Sequence, residues 1–257
     1  MSEIVVSAPW RAKANAPSLI HVDTMTLSKR SSEPAEPALR AAQRALEFVK
    51  PGMTVGLGSG SAAQLWIRLL GEQVRDHALK IKAIASSRDS ELLGRSYGIP
   101  FVSFEDCELL DFTVDGADEI GPRLALIKGR GGNLLREKIV ASASRRLLIV
   151  ADESRVVDVL GRSTLPVEVI PTAAPLVGRA LQELGFTARV RVQNDGTRFL
   201  TGEGNLVLDC SGLAIEDPYA IAAEIDAIVG VVEHGIFLDM VDIALITSGS
   251  DLIERTR

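Results

Sequence analysis

A short apolar, β-branched run, Met53 to Leu57, passes directly into Gly58-Ser59-Gly60-Ser61 and then into a helical pattern from Ala62 to about Leu70. This strand, glycine loop and helix in immediate succession constrains the fold more than any other feature, because it is the opening unit of an α/β sheet. The alternation continues along the chain. Ala38 to Val49 places Leu39, Ala42, Leu46 and Val49 on one helical face before Pro51-Gly52 stops it. Leu79 to Ala85, Phe112 to Val114 and Leu147 to Ala151 read as strands, Ser90 to Tyr97 and Leu134 to Ala143 as helices. Such alternation predicts an α/β fold with a doubly wound, mostly parallel sheet.

The pattern changes at Leu165-Pro166-Val167-Glu168-Val169-Ile170-Pro171. Beyond it the sequence predicts a strand (Val167 to Ile170), a helix (Ala174 to Leu184), two strands (Thr187 to Val192, Asn205 to Cys210), a helix (Pro218 to Ala227) and a strand (Val231 to Leu238). This βαββαβ order is that of a ferredoxin-like unit. Ile243 to Thr247 is apolar and rejoins the first sheet, so the small domain is expected as an insertion. The expected organisation is a Rossmann-like catalytic domain over 38–165 and 240–257, and a ferredoxin-like small domain over 166–239. Residues 1–37, rich in Ser, Pro and Ala, read as a poorly ordered extension, with Met25 an alternative start.

Composition narrows the partners. Aromatic residues are 4% of the 257, too few for base-stacking platforms, and a net charge of -6 opposes a nucleic-acid surface. No apolar run reaches the length of a membrane span. Cys107 and Cys210 are too few and too far apart for a disulfide framework, which fits a reducing, cytoplasmic setting. His21, His77 and His234 have no second histidine at ligand spacing and read as surface or loop residues. A small ligand is expected.

Val114-Asp115-Gly116-Ala117-Asp118-Glu119 and Ile127-Lys128-Gly129-Arg130-Gly131-Gly132, followed by the helical Glu137, bring acids, a cation and a glycine run into one neighbourhood. A carboxylate that shuttles a proton and a cation with backbone N–H groups around an oxyanion are the parts needed to isomerise a sugar through an enediol. Asp115 and Asp118 suit hydroxyl groups or a divalent cation, although Lys128 competes with the cation. Glu119 reads as a cap or solvated acid. Burial would raise the pKa of Glu137 and Lys128 would lower it; a surface ion pair is the plainer alternative. Gly58-Ser59-Gly60-Ser61-Ala62-Ala63 matches a dinucleotide fingerprint but lacks the acid about 20 residues on, and Arg88 keeps NADP open. A single phosphate on the helix N-terminus with the Ser59 and Ser61 hydroxyls is the better reading, beside that of a simple tight turn.

From Ala38 to Ile246 the chain resembles ribose-5-phosphate isomerase of type A. The resemblance rests on Val55 to Ser61, Val114 to Glu119, Leu126 to Gly129, Leu135 to Ile139, Ala151-Asp152-Glu153-Ser154, Leu165 to Pro171 and Gly230-Val231-Val232-Glu233. It implies interconversion of ribose 5-phosphate and ribulose 5-phosphate without metal or organic cofactor, in a homodimer or homotetramer. It also implies Glu137 as the proton-transferring base and Asp115 and Asp118 on hydroxyls and ring opening. Lys128 with Gly129 and its neighbours would face the enediolate oxygen, and Ser59, Gly60 and Ser61 the phosphate. Departures occur at Ala62, where the family commonly has threonine, at Arg130 in a usually all-glycine run, at Arg155 in place of lysine, and at His234 in place of asparagine. Ala62 removes a hydroxyl from the phosphate loop; Arg130, Gly131 and Arg155 join the expected binding set, the arginines adding charge. A different sugar phosphate, or a sensor that binds a sugar phosphate without chemistry, are the competing readings.

Overall fold

The computed structural model describes residues 36–257, so most of the expected N-terminal extension lies outside the described residues. The first half runs α1 (Glu36–Leu46), β1 (Thr54–Leu57), α2 (Gly60–His77), β2 (Lys82–Ala85), α3 (Arg88–Ser96) and β3 (Phe112–Asp115). Two short strands, β4 (Glu119–Ile120) and β5 (Leu126–Ile127), precede α4 (Leu134–Ser142) and β6 (Leu147–Asp152). Then follow β7 (Leu165–Val169), α5 (Ala174–Glu183), β8 (Thr187–Val190), β9 (Leu206–Ser211), α6 (Pro218–Asp226) and β10 (Val231–His234). The chain ends with β11 (Ile236–Phe237), β12 (Ile243–Ser248) and β13 (Asp251–Thr256).

The main sheet has the order β13-β12-β6-β3-β1-β2 and is parallel except for the β12–β13 pair. Its inner strands are buried along nearly their whole length, as in sheets covered on both faces. One core packs Leu57, Trp66, Ile67, Leu70, Val114 and Leu245 together; another gathers Ile120, Leu126, Ile149, Phe237 and Ile246. The chain leaves β1 toward β2 on one side and β3 on the other, so the crevice at the carboxyl ends of β1 and β3 is the topological switch point where such sheets bind ligands.

The second sheet has the order β10-β7-β9-β8, antiparallel throughout, with the ferredoxin-like connectivity expected from the sequence. Val167, Val177, Leu181, Leu208 and Ile225 form its core. The expected strand from Val231 to Leu238 is in fact two. His234 ends β10, and Ile236–Phe237 pair with β5 in a third sheet of order β11-β5-β4. Gly235 makes the change of sheet possible, because a Cβ there would lie 2.3 Å from the Lys128 carbonyl oxygen. That tiny sheet joins the other two where the acid and glycine motifs meet. No described helix is long and apolar enough to cross a membrane.

Candidate active site

Asp115 closes β3 and Gly58 follows β1, and the two come so close that a Cβ on Gly58 would lie 2.3 Å from the Asp115 carboxyl carbon. Only glycine permits that approach. Asp115 is 1% exposed. One of its oxygens accepts from Ser59 N–H at 2.9 Å and Gly116 N–H at 2.7 Å; the other lies 2.9 Å from Lys128 Nζ. Lys128 enters from just past β5, donates to the Gly116 carbonyl at 2.6 Å, and places Nζ 3.3 Å from Glu137 Oε2. That last contact is an ion pair without hydrogen-bond alignment, so Oε2 has no hydrogen-bond partner.

Lys128 and Glu137 are 3% and 4% exposed, which makes their electrostatics strong. Burial by itself would strip the proton from Lys128; the charges of Asp115 and Glu137 overcome it and hold the ammonium pKa above the ordinary lysine value. For Glu137 burial dominates, Lys128 opposes it and Asp115 reinforces it, and the carboxyl is pushed up to about 7. A carboxylate tuned to neutrality beside a permanent cation can take up and return a proton near neutral pH.

A cavity of about 400 Å³ opens in front of this pair. Of the residues expected from the sequence, Ser59, Gly60, Ser61, Ala62, Asp118, Lys128, Gly129, Arg130, Gly131, Glu137 and Arg155 line it. Asp115 is not among the lining residues; it stands behind Lys128. The N-terminus of α2 contributes Gly60, Ser61 and Ala62, and no side chain caps it. Ser59 differs from expectation: it is buried, its N–H is spent on Asp115, and its hydroxyl is 2.7 Å from that of Ser86. Asp118 accepts from Arg130 N–H at 3.0 Å through one carboxylate oxygen. Arg155 lies 4.0 Å from Asp152, an exposed pair that leaves its charge largely available to a ligand.

Some residues behave otherwise than the sequence suggests. Glu119, expected to cap or to be solvated, is fully buried and accepts from the N–H groups of Gly161 and Ser163. His234, expected at the surface, is 3% exposed. Its Nδ1 accepts from Ile236 N–H at 3.1 Å, which makes Nε2 the protonated nitrogen facing Asp226 at 3.2 Å. Burial first, and then the Lys138 ammonium, pushes its pKa down to about 4, so the contact joins a neutral imidazole to a carboxylate. Asp226, Glu233 and His234 are close enough to hold a metal, but Nε2 carries its proton and Lys138 Nζ sits 2.6 Å from Glu233. The cluster is suited to hydrogen bonding instead. Asn133 and Asp152 line the cavity without having been assigned a role from the sequence, and Phe237 sits under both Lys128 and Lys138, whose Nζ atoms are 5.5 and 4.9 Å from its ring centroid. The position of Asn133 before a helix was a legible signal; that of Phe237, reached through a strand that changes sheets, was not.

The family model for ribose 5-phosphate isomerase A (phosphoriboisomerase A) matches residues 82–251. Ribose-5-phosphate isomerase A of Sphingopyxis alaskensis is 47% identical over 214 residues, covering 83% of this chain and 92% of that protein. The chain belongs to the ribose-5-phosphate isomerase A family. The corresponding protein of Roseiflexus castenholzii is 45% identical, over 84% of this chain and 93% of its own length. Among solved structures, ribose 5-phosphate isomerase A of Methanocaldococcus jannaschii superimposes with a TM-score of 0.82 at 38% identity, over 86% of this chain and 98% of that one. A D-ribose-5-phosphate isomerase in complex with phospho-erythronic acid gives 0.83 at 34% identity, with the same coverage. Membership of the ribose-5-phosphate isomerase A family leaves the dinucleotide reading of the glycine loop without support.

Proposed function

We propose that this protein interconverts ribose 5-phosphate and ribulose 5-phosphate through an enediolate, without a cofactor. The observation that carries the reading is the buried Lys128 ammonium set between Asp115 and Glu137 at the floor of the cavity. Glu137 takes the proton from C2 of the open-chain aldose; the C–H electron pair becomes the C1–C2 double bond, and the C1 carbonyl oxygen becomes an oxyanion. Lys128 and the free N–H groups of the Gly129–Gly131 segment face that oxyanion. A preorganised donor of this kind is worth about 3 kcal/mol in the transition state. Glu137 then returns the proton to C1, and the O2 hydroxyl proton passes to O1, giving the ketose. Asp118, with one carboxylate oxygen uncommitted, handles hydroxyls and ring opening. Asp115, its oxygens already engaged, orients Lys128 and keeps it charged. The α2 N-terminus with Gly60, Ser61 and Ala62, together with Arg155 and Arg130, takes the phosphate.

The site is read as part of a Rossmann-like domain over 38–165 and 240–257, with 166–239 as the ferredoxin-like partner domain. A homodimer or homotetramer in the cytoplasm completes the proposal; the two free cysteines support the reducing setting. Incubation with ribose 5-phosphate in EDTA should yield the ketose. Loss of turnover in chelator, restored by Mg²⁺ or Mn²⁺, would overturn the cofactor-free mechanism, and binding without turnover would favour a sensor.

A further inference from the structure

The oxyanion donors lie on a loop, and a loop aims nothing unless its peptide planes are fixed. Among the described residues, the N–H groups of Gly129 and Gly131 have no hydrogen-bond acceptor, and both residues line the cavity. The peptide between Arg130 and Gly131 carries the Arg130 carbonyl on one edge and the Gly131 N–H on the opposite edge, as any trans peptide does. Whatever holds the carbonyl therefore aims the N–H.

That carbonyl is held by a residue of the ferredoxin-like sheet. Arg191, one residue past β8, donates from Nη1 to the Arg130 oxygen at 2.9 Å. The same guanidinium forms a fork with Asp209 on β9, Nε reaching Oδ2 at 2.9 Å and Nη2 meeting Oδ1. Its backbone is anchored as well, N–H to the Val207 carbonyl at 2.8 Å and carbonyl from Phe199 N–H at 2.9 Å. The Phe199 ring lies beneath the guanidinium at 5.6 Å and against Gly132, where a Cβ would meet it at 2.4 Å. The preceding peptide is fixed from the other side, by Arg130 N–H on Asp118 and by Gly132 N–H on the Gly129 carbonyl at 2.9 Å. A rigid planar cation bound at two edges is a suitable lever, and its charge also polarises the peptide whose N–H it directs.

We propose that Arg191, set by Asp209, is a positioning residue for the isomerisation: by gripping the Arg130 carbonyl it turns the Gly131 N–H into the cavity as an oxyanion donor. The inference rests on the isomerase reading above. Lysine at 191 keeps the charge but cannot hold Asp209 and the Arg130 carbonyl together in one plane. Arg191→Lys should therefore lower kcat for ribose 5-phosphate about tenfold or more, with KM within about threefold and the melting temperature close to that of the parent. Its Kd for phospho-erythronic acid, whose carboxylate presents an anionic oxygen near the reacting carbons, should rise by about the factor by which kcat falls, while that for inorganic phosphate stays unchanged. A folded Arg191→Lys protein with parental kcat, or one whose lost activity only matches a lost folded fraction, overturns the proposal. If that variant does not fold, Asp209→Asn, which loosens the fork without changing its shape, carries the same two outcomes. The unsubstituted chain separates the hypotheses: its failure to turn over ribose 5-phosphate sinks the isomerase reading, whereas an unaffected variant of an active parent sinks only the role of Arg191.

Discussion

Glu137 is the proposed base, and its surroundings pull in opposite directions, with burial and Asp115 favouring the neutral acid and Lys128 the carboxylate. Glu137→Gln keeps the shape but cannot take a proton, so turnover should fall by about 10²-fold or more while sugar phosphate still binds. Near-parental turnover would shift the base to Asp118. With the carboxyl pushed up to about 7, kcat/KM of the parent should decline about tenfold per unit as the pH falls below that value, because the protonated acid cannot accept. A profile flat down to pH 5 would contradict it. Residue type and spacing made the loop acids, a cation and a glycine run legible as one neighbourhood; Glu137 as base was legible only through the family resemblance, because a surface ion pair is the plainer reading of that residue alone. The division of labour between the aspartates was not, because it depends on the N–H groups of Ser59 and Gly116 converging on Asp115, a contact made 56 residues apart in the first case.

Helix α2 presents its uncapped N-terminus to the cavity, the proposed phosphate end, and Ala62 lines the cavity there without a hydroxyl. A hydrogen bond to a charged group contributes about 1.5 to 3 kcal/mol. Ala62→Thr should accordingly lower KM for ribose 5-phosphate by about tenfold and leave kcat nearly unchanged, since phosphate contacts are remote from the reacting carbons. A raised KM, together with better turnover of another sugar phosphate by the parent, would reassign the substrate. Helices and inner strands were legible because apolar periodicity reports their burial; their observed bounds differ from expectation by a few residues, α2 running on to His77. The short strands β4, β5 and β11 were not, since two residues carry no period. Edge strand β13 was missed because only Leu252 and Ile253 of its six residues are apolar.

At the scale of the molecule, two buried ionisable groups oppose each other in pH. His234, pushed down to about 4, contributes stability that is present above its ordinary value near 6.5 and lost as the pH falls through 4. Glu137, raised to about 7, contributes stability that is present below about 4.5 and lost as the pH rises through 7. Each effect is on the order of 3 kcal/mol and together they nearly cancel between the two limits. Relative to the parent, His234→Asn should gain stability on acidification from pH 6.5 to 4, and Glu137→Gln should gain it from pH 4.5 to 7, as denaturant unfolding at several pH values will read. Parallel pH curves for parent and variants would refute the assignment. The loop between the sheets has its own bearing on how such a molecule diverges. Side chains at 129 or 132 would collide with Leu134 or Phe199, whereas Arg130 is exposed and lines the cavity, and a Cβ at 131 meets only Asn133, at 3.6 Å. Substitution is thereby sterically closed at 129 and 132 and open at 130 and 131, so a descendant of this chain has room to change the mouth of the cavity there while the two crowded glycines keep the loop's path.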